Sequence, residues 1–433
     1  MTEGPIAWQM IRFAGPVFLG NLFQQLYNMV DSLIVGNFTG DEALAAVSSS
    51  GSFIFLFVGF IFGLFAGAGV VIAKYFGADD YSGVKKSIHT TLGLSLICGV
   101  AITIIGIFLS PVILRIMGTP ELVFPNSVLY FRIYFMGGIA ICLFNASSSI
   151  FQAVGDSTHP LYYLITSSIV NVILDLIAVG YFKQGVLGAA LATMISQCIA
   201  AGLSIWKLSH TKDIYRIEFS SIRLDATLVK EILQVGVPSG VQNSVIGLAN
   251  AVVQSNINSF GELAMAGCGS YSKIEGFVFL PITSFSMALT TFVSQNVGAG
   301  NKERVKKGST FGVLSAMGMA EIIGIIIFIF MPQFMGFFSS NPQVVSIGTT
   351  QARMESLFYF FLACSHAQAG VLRGKGKAVV PMVVMLLVWC VLRVTYITVA
   401  VSMYPIIQVI FIAYPLTWCI STIIFSIYLH KMR

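Results

Sequence analysis

Four of the polar residues in the first long apolar stretch of the chain, which runs from Met10 to Asn37, recur at helical spacing. They are Gln24, Tyr27, Asn28 and Asp31, and spacings of three, four and seven residues place side chains on one face of a helix. A charge at the centre of a bilayer costs about 2.5–3.5 kcal/mol on insertion scales. Acids in such helices are rare and face a polar interior, so Asp31 is predicted to be functional, with the other three as supporting polar groups.

A second acid, Asp175, lies in a later apolar stretch with Asn171 one helical turn before it, and Thr193 lies in the stretch that follows. Asp31, Asp175 and Thr193 are each about six to eight residues from the same end of their stretches. At 1.5 Å per residue, this puts all three about 9–12 Å below one membrane surface. Residues at one depth can form one site.

Two chemistries remain open for this site. Two neighbouring carboxyl groups titrate as a coupled pair and can hold a proton near neutral pH. Alternatively, the oxygens of Asp31, Asn171, Asp175 and Thr193 form a set of hard ligands that suits Na⁺. The residue types alone do not separate H⁺ from Na⁺, and no other cofactor is expected.

The composition indicates a membrane protein. Of the 433 residues, 56% are hydrophobic and only 10% are charged, whereas a soluble domain has about 25% charged residues. Apolar runs long enough to cross a bilayer as helices recur along the chain. We therefore expect an all-α integral membrane protein in contact with lipid and with small organic molecules, with no nucleic-acid partner.

Twelve membrane spans are predicted. They are roughly residues 10–37, 43–75, 88–112, 124–153, 160–182, 186–209, 227–260, 263–296, 308–332, 344–372, 379–402 and 405–430. The polar segment 210–226 is predicted to be a cytoplasmic linker. Lys and Arg concentrate on one side of this topology, which predicts a multi-pass protein of the cell (inner) membrane with both termini in the cytoplasm.

An internal repeat becomes visible when the sequence is shifted by 221 residues. The matching pairs include Gly77 with Gly298, Lys85 with Lys306, Gly155 with Gly376 and Pro160 with Pro381. The repeat predicts two six-helix bundles, 1–209 and 227–433, that share one orientation and are related by a pseudo-two-fold axis along the membrane normal. Internal repeats of this kind are typical of secondary transporters.

Several motifs spread over the chain resemble those of the multidrug and toxic compound extrusion (MATE) transporters. They include QLYNMVDSLIVGNFT, YFGADDYSGVKK, FQAVGDSTHPLYY, YSKIEGFVFLP, SQNVGAGNKERVKK and GVLRGKGKAVVPM. The resemblance covers essentially the whole chain. It implies twelve helices in two bundles and the export of organic compounds driven by inward movement of H⁺ or Na⁺.

The DinF-like branch of this family carries its coupling residues on the first, fifth and sixth helices. The residues Asp31, Asn171, Asp175 and Thr193 match that pattern. The NorM-like branch instead uses acids in the C-terminal half, where this chain has Ile246 and Leu362. The resemblance also suggests that Pro16, fifteen residues before Asp31, is a hinge at which the first helix bends when the acid is protonated.

The C-terminal half contains two secondary candidates. Glu275 lies in the KIEGF motif of the eighth span, and Arg393 lies in the eleventh. An unpaired charge within a membrane is costly, so Arg393 is expected to pair with Glu275 or with Glu355.

These observations predict a secondary antiporter that exports organic, cationic compounds in exchange for H⁺ or Na⁺ by alternating access, acting as a monomer. An enzyme is not expected, because no nucleophile–base set or HExxH motif is present in the sequence. The alternative is a flippase for a lipid-linked saccharide. Arg132 in the fourth span counts for that alternative, since such a cavity meets pyrophosphate.

Overall fold

The structure is a computed structural model that describes residues 1–432 except Gly40 and Met117. The side chains of Ser32 and of residues 41–53 lie outside the described residues. Within the described part, helices account for nearly all of the chain and no strand is present. The expected all-helical fold is confirmed.

Fifteen α-helices are present among the described residues. They are α1 (Ile6–Thr39), α2 (Asp41–Gly77), α3 (Tyr81–Ile116), α4 (Phe124–Met136), α5 (Gly138–Ala153), α6 (Thr158–Asp175), α7 (Gly185–His210), α8 (Ala226–Asn258), α9 (Glu262–Gly298), α10 (Lys302–Gly336), α11 (Pro342–Glu355), α12 (Tyr359–Gly374), α13 (Val379–Met385), α14 (Arg393–Met403) and α15 (Gln408–Lys431). Two π-helical segments, Leu176–Tyr181 and Leu386–Leu392, continue α6 and join α13 to α14. Short 3₁₀ turns cover Phe219–Ser221 and Ser356–Phe358.

Each of the twelve predicted spans falls on one long helix or on helical segments joined end to end. Within the described residues, eight of these segments are long and apolar enough to cross a membrane. The pair formed by α4 and α5, bent by 48° at Gly137, would make a ninth. The polytopic membrane fold predicted from the composition is thus confirmed.

The chain divides into two compact units. One is Gly15–Val237, and the other is Met1–Ala14 together with Pro238–Arg433. Helices α1 and α8 each contribute to both units. In each helix, the boundary between the units lies just before an internal proline, Pro16 or Pro238. The division into bundles 1–209 and 227–433 with a linker between them stays a prediction.

The 221-residue repeat reappears in the helix boundaries. Under that shift, the ends of α2 and α5 fall on the ends of α9 and α12, and the starts of α3 and α6 fall on the starts of α10 and α13. Left-handed backbone recurs as well. Asp79 and Gly300 have φ of 56° and 69°, and Gly155 and Gly376 have φ of 93° and 74°. Glycine at three of these four positions accommodates a conformation that other residues rarely adopt.

In the unit Gly15–Val237, α2 and the first part of α8 pack backbone against backbone. A Cβ on Gly67 would lie 2.3 Å from the amide nitrogen of Gly236, and a Cβ on Gly236 would lie 2.4 Å from the carbonyl oxygen of Leu64. Leu228 and Ile232 of α8 belong to the same buried apolar cluster as Phe65 and Ile141. Close approach of the two helices therefore depends on glycine.

The segment after α7 is held against its own unit. The backbone N–H of Glu218 donates to Nε2 of His89 on α3 at 3.0 Å, and Ile217 is buried in an apolar cluster with Ile88. Hydrogen bonds from the hydroxyls of Thr211 and Tyr215 lower the pKa of Asp213 below its ordinary value. The predicted linker is therefore an ordered part of the structure.

In the other unit, α9, α10 and α12 enclose the largest apolar core of the described residues. Leu289 and Phe292 of α9 occupy the space that glycines leave on α10, since a Cβ on Gly308 would lie 2.1 Å from the Phe292 ring. Met10 of α1 is fully buried in this core. Dense packing of this kind fixes the faces that α9 and α12 turn inward.

Candidate functional site: a buried carboxyl pair

The structure brings together the four residues predicted to bind the coupling ion. Asp31 lies on α1, Asn171 and Asp175 lie one turn apart at the end of α6, and Thr193 lies on α7. Asp175 is 0% exposed and Asn171 is 1% exposed, while Asp31 is half-buried. The convergence expected from equal depth along three spans is present, and the function of the residues stays a prediction.

The carboxyl groups of Asp31 and Asp175 lie within hydrogen-bonding range of each other. Ionised carboxylates only accept hydrogen bonds, so such a bond needs a proton on one of the two groups. In the described part of the chain, the Oδ1 atoms of both residues are buried without a hydrogen-bond partner. The pair therefore has spare acceptor capacity at two buried oxygens.

Asn171 fixes one side of the pair. In the amide orientation that satisfies both neighbours, its nitrogen donates to Oδ2 of Asp175 at 3.1 Å, and its oxygen accepts from the backbone N–H of Thr193 at 3.2 Å. The amide nitrogen, rather than the amide oxygen, thus faces the acid. Asn171 links α6 to α7 through these two bonds.

Two tyrosines on α4 lie beside residues of the site: Tyr130 lies near Asp31 and Thr193, and Tyr134 lies near Tyr130 and Tyr27. Tyr130 hydrogen-bonds the Thr193 side chain and lies within electrostatic reach of Asp31. The Thr193 hydroxyl in turn donates to the carbonyl oxygen of Ala189 at 3.0 Å. Tyr134 stacks near Tyr130 with ring centroids 6.4 Å apart. Sequence reasoning missed both residues, although their spacing of four places them on one helical face.

The three predicted supporting residues differ in their position relative to the carboxyl pair. Tyr27 is half-buried, within electrostatic reach of Asp31 and Asp175, and so it belongs to the site. The side chains of Gln24 and Asn28 are exposed in the structure. Pro16 lies inside the continuous helix α1, and its role as a hinge stays a prediction.

The backbone at the site departs from regular α-helix. Asp175 is the last residue of α6, and a π-helical segment, Leu176–Tyr181, follows at once. In the C-terminal half, the π-helical segment Leu386–Leu392 directly precedes the buried Arg393. π-Helical turns are uncommon and are frequent at functional sites. In each half, the fifth of its six spans thus has a buried ionisable residue beside such a segment.

A polar network surrounds Glu355 in the C-terminal half. Glu355 is fully buried, with Oε1 accepting from Gln351 at 3.0 Å and Oε2 accepting from the Tyr271 hydroxyl at 3.0 Å. The hydroxyls of Tyr271 and Tyr359 are 2.7 Å apart. Both carboxyl oxygens of Glu355 are therefore satisfied by neutral donors.

Arg393 is held by a hydroxyl and two aromatic rings. Its Nε and Nη2 donate to Oγ1 of Thr417 at 3.1 and 2.6 Å, and its guanidinium lies 4.5 Å from the Tyr414 ring centroid and 5.1 Å from that of Trp389. Among the described residues, no ion pair within 4.0 Å joins Arg393 to Glu275 or Glu355. The expected pairing is thus an attraction over a longer distance.

Taken together, the membrane-spanning helices and the repeated halves describe a helical membrane protein with the internal repeat that is typical of secondary transporters. The profile of the MatE family matches residues 16–177 and 238–399. The chain therefore belongs to the MatE family of transporters and is not an enzyme. The branch within the family is not resolved by this match, so the DinF-like assignment stays a prediction.

Two curated relatives and one solved structure illustrate the similarity. The "Probable multidrug resistance protein YpnP" of Bacillus subtilis is 28% identical over 90% of this chain and 88% of its own length. The "FAD transporter" of Shewanella oneidensis is 24% identical over 86% of this chain and 81% of its own. A solved structure of a MOP superfamily transporter from Pyrococcus furiosus superposes with a TM-score of 0.92, covering 99% of this chain and 96% of that one at 23% identity. Its binding pocket is described as having reverse polarity that suggests a different function. This likeness shows the fold.

Proposed function

We propose that the protein is a secondary antiporter that exports organic compounds in exchange for protons by alternating access in the cell membrane. The observation that carries the proposal is the contact between the carboxyl groups of Asp31 and Asp175. A buried acid pair of this kind can take up one proton and release it when its surroundings change. Asp31 and Asp175 hold the proton, while Asn171 and Thr193 position the pair.

The arrangement favours H⁺ over Na⁺ as the coupling ion. A Na⁺ site built from the four residues would need the amide oxygen of Asn171 to face the ion. That oxygen instead accepts from the backbone of Thr193, and the amide nitrogen faces Asp175. Among the described residues of this site, the unpartnered buried oxygens are Oδ1 of Asp31 and Oδ1 of Asp175. Two oxygens suffice to share a proton, but they make a poor cage for a metal ion.

Coupling requires that protonation changes the affinity for substrate. A deprotonated pair carries negative charge that attracts a cationic organic compound, and a proton on the pair removes part of that attraction. We infer that proton entry from outside weakens substrate binding and allows release to that side. The proton then leaves on the cytoplasmic side after the change of access, and the pair is ready for the next substrate.

The rival, a flippase for a lipid-linked saccharide, would need basic groups that meet pyrophosphate. Arg132 is the residue whose charge supports the flippase alternative. Its Nε donates to the carbonyl oxygen of Ile107 at 3.1 Å and to Oγ of Ser110 at 3.2 Å. These bonds join α4 to α3, so the position of Arg132 is explained by helix packing, and the antiporter is the better-supported reading.

The proposal is tested with purified protein in liposomes loaded with ethidium, under a pH gradient or a Na⁺ gradient applied separately. We expect the pH gradient alone to drive dye movement, and Asp31→Asn to abolish it. Asp79→Asn is the matched control, because Asp79 is exposed in a loop and asparagine tolerates its positive φ. Movement driven by Na⁺ alone would contradict the choice of ion, and no movement under either gradient would direct the search to other substrates.

A further inference from the structure

The C-terminal half contains two acids and one guanidinium in a single buried network. Glu275 and Glu355 both lie within electrostatic reach of Arg393. The other titratable groups near Glu275 in the described part are tyrosines, namely Tyr271 one turn earlier on α9, Tyr359 on α12 and Tyr414 on α15. If both acids were ionised, the network would carry one uncompensated negative charge among residues that are buried (Glu355 and Arg393) or half-buried (Glu275). Uncompensated charge is costly there.

The hydrogen bonds distinguish the two acids. Glu355 accepts one hydrogen bond on each carboxyl oxygen, from Gln351 and from Tyr271, and these neutral donors suit its ionised form. The Tyr271 hydroxyl has a second partner in Tyr359, which orients it toward Glu355. By its hydrogen bonds, Glu355 is therefore the better-supported partner for the positive charge of Arg393.

Glu275 is the acid that lacks such support. Its Oε1 is buried and has no hydrogen-bond partner among the described residues. An unpaired buried carboxylate oxygen loses its hydration without compensation, and a bound proton removes that charge. Arg393 cannot reach it directly while Thr417 and the two aromatic rings hold the guanidinium.

We propose that Glu275 is a second proton-binding residue, in the C-terminal half, with Arg393 as the nearby positive charge that stabilises its deprotonated form. Uptake of one proton on Glu275 brings the network of two acids and one guanidinium to zero net charge. Release of that proton calls for closer approach of Arg393. The π-helical segment Leu386–Leu392, directly before Arg393, is a place where a change of helical register would move the guanidinium.

This site is separate from the Asp31–Asp175 pair, because its members lie on α9, α11 and α14 in the other unit. Its participation in transport rests on the proposed antiport, whereas its occupation by a proton does not. If the proposed function holds, one transport cycle can exchange a proton at each site.

Infrared spectroscopy of the purified protein in lipid tests the protonation state without any transport. We expect a protonated-carboxyl band at neutral pH that disappears in Glu275→Gln and persists in Asp31→Asn. Glutamine imitates the protonated acid, so the variant is expected to fold. Glu321→Gln is the matched control, because Glu321 is a partly buried acid of α10 whose Oε2 accepts from the backbone N–H of Phe360 at 3.3 Å. The Glu275 band should persist in that control.

A second measurement needs no change at Glu275. In the double variant Asp31→Asn/Asp175→Asn, a protonated-carboxyl band that remains at neutral pH supports the proposal. Absence of any such band overturns it, as does a spectrum of Glu275→Gln that equals the wild type, or loss of the band in Glu355→Gln instead. If the wild type shows the Glu275 band but no proton-driven export, the proposed function fails and this proton site stands.

Discussion

The amide nitrogen of Asn171 lies 3.1 Å from Oδ2 of Asp175, while its oxygen meets the backbone N–H of Thr193 at 3.2 Å. One side chain therefore fixes the orientation of the acid on α6 and ties that helix to α7. The other carboxyl oxygen of Asp175, Oδ1, is buried and has no hydrogen-bond partner among the described residues.

Asn171→Leu should slow proton-driven export about tenfold. The variant keeps the approximate size of the side chain but removes a hydrogen bond to an acid, which is worth about 1.5–3 kcal/mol. Initial rates of dye movement in liposomes at equal protein content measure the effect. An unchanged rate would show that Asn171 does not position Asp175.

Tyr130→Phe and Thr193→Val should each slow proton-driven export to a similar extent. The double variant should be only slightly slower than either single variant. Both single changes remove the same hydrogen bond between α4 and α7, and residues that share one interaction are not additive. A double-mutant cycle on export rates provides the measurement. Additive losses would mean that the two residues act separately.

Gly67→Ala should lower the thermal stability of the protein strongly. The added Cβ would lie 2.3 Å from the backbone nitrogen of Gly236, so α2 and α8 must separate. Gly202→Ala is the control, because its Cβ would meet no atom of the described residues within 4 Å. Alanine favours the helix by about 0.5–1 kcal/mol at such a position. Melting temperatures in detergent compare the two variants, and equal melting temperatures would refute the close packing.

Tyr271→Phe should destabilise the C-terminal half by about 1–3 kcal/mol, since it leaves Oε2 of the fully buried Glu355 without its donor. The exposed Tyr162 offers a matched control, and Tyr162→Phe is expected to leave stability within about 0.5 kcal/mol of the wild type. Unfolding in denaturant quantifies both. An unchanged free energy of unfolding in Tyr271→Phe would indicate that Glu355 is not ionised.

The sequence allowed the spans and the repeat to be predicted because both depend on local features. Apolar length defines a span, and glycine marks left-handed backbone at positions such as Gly155 and Gly376. The depth of Asp31, Asp175 and Thr193 followed from counting residues along straight helices. These residues converge in the structure.

Other features depend on how helices rotate and break. Tyr130 lies in an aromatic, apolar stretch whose sequence is equally compatible with a side chain that faces lipid. Only the rotation of α4 against α7 places its side chain next to Thr193. The π-helical segment after Asp175 has no glycine or proline signal at its start. The contribution of Met1–Ala14 to the C-terminal unit is likewise a matter of packing, which the sequence pattern does not encode.

The most direct test of the account measures the protons themselves. Liposomes containing the purified protein and an internal pH indicator receive a gradient of organic cation at zero pH gradient. We predict that the cation gradient drives proton movement in the wild type and in Asp79→Asn, and that Asp31→Asn and Asp175→Asn show none. Cation-driven proton movement that persists in both acid variants would contradict the claim that this pair couples transport to the proton.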